Sequence, residues 1–101
     1  LFAGRLVFEH VQVLVLAEEG FNPHTDMDIQ SLHFGEPGEV AFGRGSPVIK
    51  AKKKGNDLIL VFNAGECIFN DLSFAGELLG KTSAGKLLYG YARLPGYVMS
   101  R

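Results

Sequence analysis

The chain has 101 residues, 47% of them hydrophobic, with 8 Phe, 3 Tyr and no Trp. That is enough apolar side chain for one domain with a single core, and it excludes a disordered segment. A formal net charge of -1 argues against a general nucleic-acid binder, which needs a concentrated positive surface.

Taken in order, Arg5 to Leu16 (RLVFEHVQVLVL) is the first strand. Val7, Val11, Val13 and Val15 share one parity, a β-branched run suited to a buried, pleated face. Leu1 to Leu16 lacks the ordered features of a signal peptide, and no apolar run reaches the ~20 residues that span a membrane. The chain starts at Leu1 rather than Met, so residues 1–101 read as one domain cut from a larger protein. Gly20, Asn22 and Pro23 then mark a turn.

Thr25 to Phe34 (TDMDIQSLHF) begins with Met27 and Ile29 inward and Asp26, Asp28 and Gln30 outward. The parity shifts at Leu32 and Phe34, which predicts a bulge or break near Ser31. Gly35 to Gly38 forms a tight connection, and Glu39 to Phe42 reads as a short strand.

The chain is organised around Val48 to Phe62. The pair Gly55-Asn56 predicts a two-residue hairpin turn with positive φ. The register then sets Lys54 against Asp57 as an opposite-charge pair, Ala51 against Leu60 and Ile49 against Phe62. On the other face Lys52 meets Ile59 and Lys50 meets Val61, so lysine stems cover apolar side chains while their ammonium groups reach water.

Asn63 to Glu66 is a loop, and Cys67 to Phe69 reads as a short strand. Asn70 to Ala75 fits either one capped helical turn or a bent connection. A second hairpin joins Leu78–Lys81 to Lys86–Arg93 through Ser83-Ala84-Gly85, with Gly85 in the left-handed position. Pro95-Gly96 ends that strand, leaving Tyr97 to Arg101 as a tail or the start of a linker. The 13 Gly punctuate these short runs, as in an all-β sandwich or barrel.

Several residue groups invite chemistry. Ala75-Gly76-Glu77-Leu78-Leu79-Gly80-Lys81-Thr82 fits a relaxed phosphate-binding loop, A/G-x-x-x-x-G-K-[ST]. That chemistry needs a following helix whose N-terminus faces the anion, and here a strand-like run follows. Asp26 and Asp28 could hold half a Ca²⁺ site or act as paired carboxylates, but neither a calcium loop nor a cleft accompanies them. His10, His24, His33 and Cys67 lie on separate segments, whereas zinc wants three or four convergent ligands. Cys67 has no partner for an intrachain disulfide, so it says nothing about compartment; a buried, inert thiol is the usual case. Lys50, Lys52, Lys53 and Lys54 form a basic patch that offers an anion or polysaccharide contact. Protection of a strand edge explains them more simply. Tyr89, Tyr91 and Tyr97 are the candidate contacts for a partner or a glycan, with Leu87 on the same parity as Tyr89 and Tyr91. No catalytic, cofactor-binding or metal-binding residues are assigned, and no cofactor is expected.

The segments SLHFG (Ser31–Gly35), GRG (Gly43–Gly45), GNDLILVF (Gly55–Phe62) and LLGKTSAGKLLYGYARLPG (Leu78–Gly96) resemble an immunoglobulin-like β-sandwich accessory module. Such modules occur in extracellular, multidomain bacterial proteins, often ones that act on carbohydrate. The resemblance implies about seven short, mostly antiparallel strands in two sheets and an extracellular or periplasmic setting. It also implies a non-catalytic role: positioning a neighbouring domain or a second copy of the chain. The alternative is a carbohydrate-binding module with two exposed, roughly coplanar tyrosine rings. An enzyme is not expected, since no acid, base and nucleophile converge.

Overall fold

The computed structural model describes residues 10–69, 75–93 and 98–100. Its strands are β1 (His10–Val15), β2 (Met27–Gly35), β3 (Ser46–Lys54), β4 (Asp57–Asn63), β5 (Ala75–Thr82), β6 (Leu87–Arg93) and the short β7 (Val98–Ser100). One helical turn, α1 (Pro37–Val40), follows β2, and a 3₁₀ turn (Ala64–Glu66) follows β4. The all-β expectation holds.

The two-sheet arrangement does not. Every pairing between the named strands belongs to one sheet, in the order β1-β4-β3-β2-β5-β6-β7. The first six strands pair antiparallel and curl, and β7 closes the sheet by lying parallel to β1 and antiparallel to β6. A sandwich and a barrel demand the same in–out alternation along each strand, so the pattern alone does not separate them. Val98 to Ser100, expected as a tail, is the closing strand.

The core fills the inside of this curl. Val11, Val13 and Val15 of β1 meet Leu58, Leu60 and Phe62 of β4 in register, and Leu32 and Phe34 complete the centre from β2. Phe34 stacks on Phe62 with ring centroids 5.1 Å apart. Ile29 packs against this cluster but is only partly buried. Arg5 to Glu9 of the expected first strand lie outside the described residues.

The bulge near Ser31 is present. Register between β2 and β5 shifts between Asp28 and His33, and the Ser31 hydroxyl holds the irregularity by donating to the Asp28 carbonyl (2.7 Å) and accepting the Lys81 N–H (2.9 Å).

Three local expectations change. Glu39 to Phe42 is not a strand. Pro37 presets helical φ at the first position, the Glu36 carboxylate accepts the Gly38 N–H, and Val40 N–H reaches the Glu36 carbonyl at 2.9 Å. Cys67 to Phe69 is not a strand either: Ile68 takes φ 63°, costly for a β-branched residue. In the first hairpin only Gly55 of the turn pair has positive φ, 60°, which is the pattern of a turn with glycine first. Ala51–Leu60, Lys52–Ile59 and Lys50–Val61 pair as expected, but a register shift at Ile49 puts Val48 opposite Phe62.

Candidate interaction surface

β6 alternates cleanly. Leu88, Gly90 and Ala92 point into the barrel; Leu87, Tyr89, Tyr91 and Arg93 point out. An apolar residue of each parity fits a strand whose outer side also meets something. Leu87 is 70% exposed, Tyr89 54% and Tyr91 50%, a contiguous exposed apolar strip. The two rings are T-shaped, 6.4 Å apart with planes at 77°.

Across on β5, Leu79 sits opposite Tyr89 and Glu77 opposite Tyr91. Glu77 also points outward, yet it is buried, and Tyr91 shares a side-chain hydrogen bond with it. The Glu77 charge, with smaller help from desolvation, Tyr89 and that bond, holds Tyr91 in its phenol form to higher pH than an ordinary tyrosine. Below the strip, Ser31, His33, Val40, Leu79, Lys81 and Leu87 line a shallow groove of about 250 Å³. Beside the groove-lining Gly43, Phe42 is exposed, with the Arg44 guanidinium 5.8 Å from its ring centroid. The tyrosines and Leu87 were legible from strand parity. The buried Glu77 and the groove were not, because both depend on what α1 and β2 place beside β5.

Tyr97 lies outside the described residues. The other sequence candidates disperse. The whole nucleotide-like motif forms β5, and its glycines serve packing. A Cβ on Gly76 would lie 2.3 Å from the Phe34 ring, and one on Gly80 2.6 Å from Leu32. The Thr82 hydroxyl accepts the Lys86 N–H at 3.1 Å, while the Lys81 side chain is exposed on the outer face. A phosphate cradle is therefore absent: the backbone that would form it is committed to β2 and β6.

The Asp26 carboxylate closes its own turn by accepting the Asn22 N–H at 2.7 Å, and Asp28 is a solvated strand residue. His24 Nε2 lies 2.8 Å from the Asp57 carbonyl and His33 Nδ1 3.4 Å from the Ser31 carbonyl, while His10 is exposed at the start of β1. No group of three or more metal-ligating side chains occurs among the described residues. The Cys67 thiol is buried and donates to the Asn63 carbonyl at 3.4 Å. Burial first, then the Glu66 charge, pushes its pKa up to about 12, so it is no nucleophile near neutral pH.

The lysine patch survives, altered. Lys50, Lys52, Lys53 and Lys54 are all exposed on β3. Lys54 stands opposite Asp57 as expected, but no ion pair forms, because the Asp57 carboxylate turns to accept the Ala17 N–H at 2.7 Å. No helix among the described residues is long and apolar enough to cross a membrane. Against known proteins, no family model matches the chain, and neither a curated protein nor a solved structure does.

Proposed function

We propose that this domain is a non-catalytic interaction module that uses the outer face of β5 and β6 to hold a protein partner, either a neighbouring domain or a second copy. The observation carrying this reading is the exposed Leu87–Tyr89–Tyr91 strip, continuous with Leu79 and the groove beneath it. Aromatic residues, tyrosine among them, are enriched at protein interfaces. The carbohydrate-binding alternative asks for rings that lie nearly coplanar, and rings crossed at 77° favour protein over glycan. An extracellular or periplasmic setting, as in the accessory modules the sequence resembles, suits this role.

The test uses Leu87→Asp and Tyr89→Ala in parallel. Light scattering reports oligomeric state, a glycan array reports sugar binding, and circular dichroism checks the fold. Self-association, or binding of the adjacent domain added in trans, should weaken in both variants. Specific glycan binding lost in Tyr89→Ala, with oligomeric state unchanged, moves the domain to the carbohydrate-binding class.

A further inference from the structure

The seam between β2 and β3 is open. β3 has nine residues, yet it pairs with β2 only at Ser46 and Pro47. Among the described residues, Val48 to Lys54 pairs with β4 alone. Ile49 to Lys54 are exposed at both parities, including Ala51, although its cross-strand partner Leu60 is fully buried. This half of β3 is therefore a bare sheet edge.

Hairpin geometry says which groups it presents. A two-residue turn is closed by a hydrogen-bonded pair, here Lys54 with Asp57, and such pairs alternate along an antiparallel ladder. Lys52 with Ile59 is the next one. The N–H and C=O groups of Ala51 and Lys53 then point away from β4, off the free edge.

The charge of this edge is uncompensated. Among the described residues no side-chain hydrogen bond or ion pair engages the ammonium groups of Lys50, Lys52, Lys53 or Lys54, and the one carboxylate in register with them is committed to Ala17. Lys50, Lys52 and Lys54 share one face and Lys53 takes the other, so four ammonium groups flank one short edge of a chain whose formal net charge is -1.

We infer that the free edge of β3 accepts an extended acidic segment of another protein as an added strand. This surface is distinct from the β5–β6 face, so the inference stands or falls separately from the proposed function. A peptide fits because its own amides can pair with Ala51 and Lys53, which a sulfated sugar or a nucleic acid cannot do in a ladder. Acidic side chains fit because opposite charges across strands attract and like charges repel. The same rule disfavours a second copy, since antiparallel pairing of two β3 edges sets lysine against lysine.

The probe is a fluorescent octapeptide of alternating Glu and Thr, with its Lys-Thr counterpart and a heparin oligosaccharide as controls. Anisotropy should show saturable binding of the Glu-Thr peptide alone. Lys52→Glu should weaken it about tenfold, as loss of an interfacial charge pair does. Ala51→Pro removes one outward N–H without changing charge, and an edge position tolerates proline, so it should also abolish binding in a folded protein. Amide exchange at Ala51 and Lys53 should slow when the peptide binds. Equal binding of heparin, insensitivity to Ala51→Pro, or no binding of the Glu-Thr peptide would each overturn the inference and leave the lysines as edge protection.

Discussion

Single atoms decide two positions. At Gly76 a methyl group would collide with the Phe34 ring at 2.3 Å, and Phe34 cannot retreat because it stacks on Phe62. Gly76→Ala should therefore destabilise by about 1–3 kcal/mol, as overpacking does, measured by urea denaturation. A change within a few tenths would mean that the ring moves freely. Cys67 makes a second case. Its folded pKa of about 12 lies above the ordinary value of 9.0, so between these limits the folded state keeps a proton that the unfolded state has lost. The resulting stability is present below pH 9 and is lost as pH rises toward 12. Native protein should resist Ellman's reagent at neutral pH and react only after urea is added. Immediate stoichiometric labelling would place the thiol at the surface.

At the scale of elements, similar spacings take different structures. Val40 and Phe42 alternate as in a strand, but Pro37 and the Glu36 cap make the segment helical. Ala75 to Thr82 carries the spacing of a phosphate loop, but its flanking apolar residues and β2 make it a strand. Lys81 projects from that strand into solvent, so Lys81→Ala should shift stability by no more than about 0.5 kcal/mol, as exposed substitutions do. Calorimetry with ATP and Mg²⁺ should show no heat of binding in either protein. Micromolar saturable binding abolished by the substitution would contradict the strand assignment.

Over the whole molecule, one sheet closes at β1–β7 and parts at β2–β3. Closure protects the core, while the seam leaves backbone groups in water. In the free protein, amides of Ala51 and Lys53 should exchange at rates near those of an open chain. Those of Lys52 and Lys54, paired to β4, should be slower. NMR-detected exchange reads these residues individually. Equal protection at all four would show that something already covers the edge.

The hairpins were legible because their causes are local. Gly55-Asn56 and Ser83-Ala84-Gly85 set turn and register within a few residues, and Gly85 takes φ 85° as its position demands. The inward residues of β1 and β4 were legible from alternation, and so was the shared face of Leu87, Tyr89 and Tyr91, but not that this face points outward. The turn around Asp57 was only half legible. Its register was written locally, but the side chain's choice of Ala17 over Lys54 rests on a residue 40 positions away. Alternation tells each strand which face is buried, but it does not name the neighbour. Neighbours are chosen by long-range pairings, each of which must offset the entropy of closing a loop, and only the assembled core decides which set does so. That is why one curled sheet, a buried Glu77 and the point where β3 leaves β2 belong to the tertiary structure alone, although the lysines had already marked β3 as an edge.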